Sequence, residues 1–147
     1  ATGGLLSSAG IRLLSNECAL VAEGLLIAGV DDLTSSGRTS GEGETNVEKA
    51  LSNRPSGIAT IYLSHSPLLV EPAAKKGVRL MLSGHTHNGQ IWPFGYITKT
   101  RYPYLYGRYD IDGMTLIVSR GAGAWGPRMR LWSPGEIVRI TLRRPAV

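Results

Sequence analysis

The chain has 147 residues, of which 42% are hydrophobic and 18% charged, and its formal net charge is +5. That length and composition suit one globular domain with a real core and exclude global disorder. With 19 glycines and 8 prolines, a plain helix bundle is excluded too, because so many turn formers call for short elements joined by tight loops. The charge is uneven: residues 1–98 hold 7 Lys and Arg against 8 Asp and Glu, whereas residues 99–147 hold 9 against 3. A basic half suits an anionic substrate or surface, but its arginines are spread singly and not in the dense block of a nucleic-acid arm. The longest apolar stretch, residues 24–30, is far short of the roughly 20 residues of a membrane span. The opening Ala1-Thr2-Gly3-Gly4 lacks a secretory leader's charged start and apolar core. A start on Ala1 in place of Met is expected of a sequence that continues upstream. These features leave localisation open between the cytoplasm and the periphery of the inner membrane. Cys18, the one cysteine, excludes an intrachain disulfide and a multi-cysteine zinc site and reads as a buried, inert thiol.

In chain order, Ile11–Leu14, Ala19–Ala22 and Leu25–Val30 read as short strands broken by Asn16 and Gly24. Residues 34–44 are polar and rich in Gly and Ser, a surface loop. Asn46 is placed to cap a short helix through Leu51. Residues 58–63, Ile-Ala-Thr-Ile-Tyr-Leu, form the clearest buried strand, β-branched and uncharged. Ser66 and Pro67 then open a helix to Lys76, with Pro72 expected to kink it. Val78–Leu82 is a second buried strand, making residues 58–82 one βαβ unit. Tyr104–Ile111, Met114–Ser119 and Glu136–Leu142 read as further strands, the first two joined at Asp112-Gly113.

All three histidines follow strands. His65 ends the strand at 58–63, and His85 and His87 follow the strand at 78–82 in Gly84-His85-Thr86-His87. If those strands are parallel neighbours, both loops open at one carboxyl edge, where open α/β sheets collect their ligands. A His-x-His pair on extended backbone directs both rings to one side, so the three imidazoles are expected to converge on a transition-metal site. A cupin-like use of His-x-His is excluded, since it wants a Glu soon afterwards and the next one is Glu136. Asn88, Gln90 and Arg120 are candidate substrate contacts, Arg120 to an anionic group, each against a plain loop-supporting role. Asp31 and Asp32 are open as ligands or as turn residues, Trp125 as a cover over a substrate or as a packing residue, and Tyr102, Tyr104, Tyr106 and Tyr109 read as packing residues.

The segments Ser64-His65-Ser66-Pro67 and Gly84-His85-Thr86-His87 resemble the last two metal motifs of the calcineurin-like metallophosphoesterases. Leu26–Asp32, Gly89-Gln90-Ile91 and Val118–Gly123 are similar to segments of the YkuE-like bacterial subgroup. The resemblance implies an α+β fold, half of a four-layer αββα sandwich, with mixed sheets and one βαβ unit. It also implies two divalent ions (Mn, Fe, Zn or Ni), with His65 and His85 on one and His87 on the other. The family's Asp-x-His, Gly-Asp and Gly-Asn-His motifs have no counterpart here, since the aspartates are only Asp31, Asp32, Asp110 and Asp112. The chain therefore resembles the C-terminal portion of a single domain, carrying a partial metal site and no catalytic residue of its own. The implied activity is manganese-dependent hydrolysis of a phosphate monoester, diester or pyrophosphate, on a lipid-linked or nucleotide substrate. The implied partners are the rest of the domain or a second copy of the fragment. The competing reading is a non-catalytic binding or assembly module derived from such a domain.

Overall fold

The computed structural model describes residues 2–34 and 41–143. The elements run α1 (Thr2–Ser8), β1 (Glu17–Ala22), β2 (Leu25–Gly29), α2 (Glu42–Ser52), β3 (Ala59–Leu63), α3 (Val70–Lys75), β4 (Leu80–Ser83), a 3-10 turn (His87–Gly89), α4 (Phe94–Arg101), β5 (Gly107–Ile111) and β6 (Met114–Val118). The strands form one mixed sheet in the order β1-β2-β3-β4-β6-β5. The central four, β2, β3, β4 and β6, are mutually parallel, and each edge strand is antiparallel to its neighbour. This is a mixed α/β fold with two successive βαβ crossovers, β2-α2-β3 and β3-α3-β4, where the sequence pattern showed one.

Alternation along the strands divides their residues between two faces. Leu26, Ala28, Tyr62, Met81 and Leu116 bury one face against Val47, Ala50 and Leu51 of α2 and Val70, Ala73 and Ala74 of α3. The register aligns two apolar rows on the other face, Ile27-Ile61-Leu80 and Leu63-Leu82-Ile117. These residues are only half-buried or exposed, so this side of the sheet has no packed layer over it among the described residues.

Six sequence expectations change. Residues 11–14 form no strand; they cross Gly29, where Leu14 Cβ and O stand 2.7 and 2.8 Å from the place of a side chain. Helix α2 begins inside the expected 34–44 loop because Gly41, in a left-handed conformation, precedes Glu42 and Glu44, which suit a helix N-terminus; positions 35–40 lie outside the described residues. Asn46 is consequently buried inside that helix and does not cap it. Helix α3 starts late, since Leu69 is left-handed and the Ser66 hydroxyl goes to Asp32. Pro72 causes no break because it lies in the first turn, where its missing N–H has no intrahelical partner to lose. Residues 136–142 form no strand, and Ile137 is 90% exposed. The hairpin at Asp112-Gly113 is present, with φ of 47° and 80° at its two central residues.

Candidate functional site

The four parallel strands end at the same edge of the sheet, and each is followed by polar loop residues: Asp31-Asp32, Ser64-His65, Gly84-His85 and Ser119-Arg120. Backbone bonds extend the sheet into these loops. Ser64 N–H donates to Leu82 O (3.1 Å), Gly84 N–H to His65 O (2.9 Å) and Ser119 N–H to Ser83 O (2.8 Å). The last rungs thus fix the histidine loops relative to one another.

His65 Nε2 lies 3.0 Å from His85 Nδ1, and Tyr102 Oη lies 2.9 Å from His85 Nε2. Both nitrogens of His85 are therefore positioned by named partners. Burial, then the neighbouring His65, holds His85 below the ordinary imidazole range, so it stays neutral with a lone pair to offer. Asp32 steadies the His65 loop. Its carboxylate accepts from the Thr34 amide and hydroxyl and from the Ser66 hydroxyl (3.0 Å). Burial pushes Asp32 up, but these hydrogen bonds outweigh it and keep the carboxyl below its usual range.

The segment carrying the histidine pair is not extended. His85, His87, Asn88 and Gln90 have φ of 67°, 48°, 54° and 55°, a left-handed conformation that costs a non-glycine residue on the order of 1 kcal/mol or more. The structure pairs His65 with His85 and does not bring all three imidazoles together as the ligands of one ion. Among the described residues no group of three His, Cys, Asp or Glu side chains could hold one ion. Within the same turn, Gly89 is obligatory, since a Cβ there would stand 2.3 Å from Gly95 N.

His87 belongs instead to the loop after β6. Arg130 Nη2 is 3.0 Å from its Nδ1, Ser133 Oγ donates to its carbonyl (2.8 Å), and Gly121 leaves room for the ring. Burial, then the Arg130 charge, keeps His87 below its ordinary range. Arg130 also donates to the carbonyls of Arg120, Gly121, Gly123 and Ser133, so one guanidinium organises a loop that has little regular structure.

The other candidate residues have separate duties. Gln90 is buried and clamps the loop: its Oε1 accepts from Trp125 N–H (2.6 Å) and its Nε2 donates to the carbonyls of Trp125 (2.7 Å) and Pro127 (3.1 Å). Arg120 forms a two-nitrogen ion pair with Glu136 and lies over the Tyr106 ring. Asn88 lines a hollow of about 220 Å³ beside Trp92, Tyr96 and Lys99, separate from the histidines. Tyr102 follows α4 and is not a sheet residue, whereas Tyr104 donates to Glu71 and its phenol is pushed up to about 12 by that bond. Trp125 is not packed away; it is 75% exposed on the wall of a cavity of about 660 Å³ that includes all three histidines. The sequence reading missed Tyr102 and Arg130 as partners of the histidines. Their positions 17 and 43 residues downstream carry no local signal.

Known proteins share this chain's sequence over nearly its whole length. An uncharacterized metallophosphoesterase of Helicobacter pylori is 37% identical over 139 residues, 93% of this chain and 37% of its own. One of Aquifex aeolicus is 38% identical over 141 residues, 94% of this chain and 53% of its own. The Bacillus subtilis uncharacterized metallophosphoesterase YkuE is 34% identical over 121 residues, 80% of this chain and 40% of its own. Relatives at this level are named metallophosphoesterases, which supports the calcineurin-like metallophosphoesterase family for this chain. It spans between about a third and a half of the length of these relatives. No protein-family model matches it, and no solved structure does so at a significant level.

Metallophosphoesterases use divalent metal ions, and the donors seen here suit part of such a centre. Two nitrogens each about 2.1 Å from a shared ion and at right angles to it stand about 3.0 Å apart, which is the His65–His85 separation. Tyr102 on the far nitrogen of His85 is the kind of outer partner that fixes a ligating imidazole's tautomer. Two neutral imidazoles supply no negative charge, so they complete no divalent site by themselves.

Proposed function

We propose that this metallophosphoesterase chain contributes the histidine side of a dimetal phosphoesterase centre, with the carboxylates supplied by residues beyond these 147. The observation that carries the reading is the 3.0 Å approach of His65 Nε2 to His85 Nδ1 at the shared carboxyl edge. His65 and His85 would hold one divalent ion, and His87, through Nε2, would face the other. Bound there, the ions supply Lewis-acid polarisation of a phosphoryl oxygen. The protein's own part is orientation. Tyr102 Oη accepts a hydrogen bond from His85 Nε2–H and leaves Nδ1 free as a donor atom. Ser83, Gly84 and Ser119 lock the loops into the sheet, and the Arg130-organised loop seats His87. The substrate is a phosphate ester or pyrophosphate, and the metal is manganese or a neighbour in its row. The half-covered rows Ile27-Ile61-Leu80 and Leu63-Leu82-Ile117 support a second layer from the same parent domain. In its absence the rows favour self-association of this portion.

The test is a metal titration. The whole gene product with manganese should hydrolyse an aryl phosphodiester, and His85→Ala should lower the rate by more than about 100-fold, beyond the usual cost of losing an outer hydrogen-bond partner. Residues 1–147 alone should bind the metal weakly and turn over negligibly. Robust turnover by residues 1–147 that survives His85→Ala would overturn the assignment and favour a site elsewhere.

A further inference from the structure

The cavity that contains the histidines also has a large apolar wall. Helix α4 turns Phe94, Ile97 and Thr98 toward it, residues spaced three and four apart on one helical face. Ile91, Trp125 and Pro127 complete the wall. Phe94, Ile97 and Trp125 remain 53%, 65% and 75% exposed, so nothing apolar among the described residues covers them.

Thr86, Thr98 and Gln90, the polar side chains set among the apolar ones, spend their donors inside the protein, while the Tyr102 hydroxyl lies at the histidine end of the cavity. The Thr86 hydroxyl donates to Leu105 O, the Thr98 hydroxyl to Phe94 O (3.0 Å), and both amide hydrogens of Gln90 go to the 125–127 backbone. A nucleobase or sugar is recognised by unspent donors and acceptors, and this wall offers hydrocarbon contact instead. The segments that build the cavity, 85–102 and 120–135, carry no acidic residue, which favours an anionic head group at the histidines.

We propose that the wall of Ile91, Phe94, Ile97, Trp125 and Pro127 is a subsite for the hydrocarbon portion of an amphiphilic phosphate ester whose phosphate sits at the histidines. The proposal rests on the phosphoesterase reading for the position of the phosphate. The wall itself rests on independent residues. Gln90 joins the two parts, since it belongs to the histidine turn and holds the 125–127 segment in place by three hydrogen bonds.

The experiment measures binding of n-alkylphosphonates, from methyl to octyl, to the whole manganese-loaded gene product by calorimetry, below the concentrations at which they form micelles. Affinity should rise about fourfold per methylene while the wall is being filled. Ile97→Ser should reduce the octyl-to-methyl affinity ratio by about tenfold, whereas Tyr96→Ser, outside the cavity, should leave the ratio unchanged. A flat series with metal-dependent methylphosphonate binding would overturn the subsite and keep the phosphoesterase reading. It would also show that other residues of the parent cover the wall. An adenosine phosphate binding more tightly than octylphosphonate and weakened by Ile97→Ser would overturn it in favour of a nucleotide. A rising series that needs no metal and ignores His85→Ala would uphold the hydrocarbon site and overturn the phosphoesterase reading.

Discussion

The helix-covered face of the sheet and its carboxyl edge are made by opposite rules. On the covered face, Tyr62, Met81 and Leu116 sit in register on three adjacent parallel strands and are fully buried under α2 and α3. Their backbone is regular, and their side chains are mostly apolar. At the edge, four non-glycine residues between His85 and Gln90 are left-handed, histidines face one another, and large apolar side chains stand in solvent. The first region holds most of the stability. The second spends some of it to place His85 and His87, which is the usual relation between a packed scaffold and a site built on its loops.

The comparison can be broken most sharply in the core. Met81→Ala should destabilise the protein by about 2–5 kcal/mol in denaturant unfolding, through lost burial and the cavity left behind, and should not alter the metal preference of the folded fraction. Gly89→Ala attacks the edge directly. It adds a Cβ against the Gly95 backbone at a φ of 72°, and should cost more than about 1 kcal/mol. Unlike Met81→Ala, it should displace His87 and Asn88, read as shifted imidazole signals in NMR while the core methyl signals stay in place. Tyr102→Phe should be nearly silent in unfolding but weaken metal binding by about 10–100-fold in the whole gene product, because the His85 tautomer is then no longer fixed. If that substitution left both the metal affinity and the His85 ring signals unmoved, Tyr102 would have no part in the site.

The smallest effect concerns the ion pair that anchors the last described segment. Hydrogen bonds from the Arg120 side chain and then its backbone hold Glu136 below its ordinary value of 4.5. A carboxylate depressed on folding adds stability that is complete above the unfolded value and disappears as pH falls through the folded one. Glu136→Gln should therefore cost about 1 kcal/mol at pH 7. The gap from the parent protein should close as pH drops below about 4.5, read as converging unfolding midpoints.

What the sequence made legible divides along the same line. Residues 58–63 and 78–82 announced themselves because a central parallel strand is a mostly apolar run, here rich in β-branched and aliphatic side chains. The carboxyl-edge position of His65 and His85 followed from strand direction alone. Helix α4 was not legible, because Phe94–Arg101 has no buried face to impose a 3.6-residue pattern. Residues 136–142 misled for the converse reason: Ile137, Val138 and Ile140 look like a strand, but strand pattern needs a neighbouring edge to become structure. The orientation of the two histidines also escaped, since alternation assumes an extended backbone and this turn is coiled.

The Gln90 clamp has a kinetic consequence. An amide on a glycine-rich surface loop ordinarily exchanges its hydrogen with solvent through local fraying, on a timescale unrelated to the core. The Trp125 N–H is bonded instead to a buried side chain that belongs to the histidine turn. Its exchange then requires that turn to open as well. The loop over the cavity and the loop that carries His87 form one cooperative opening unit, and the Trp125 amide should exchange at the rate of the turn although its indole is in water.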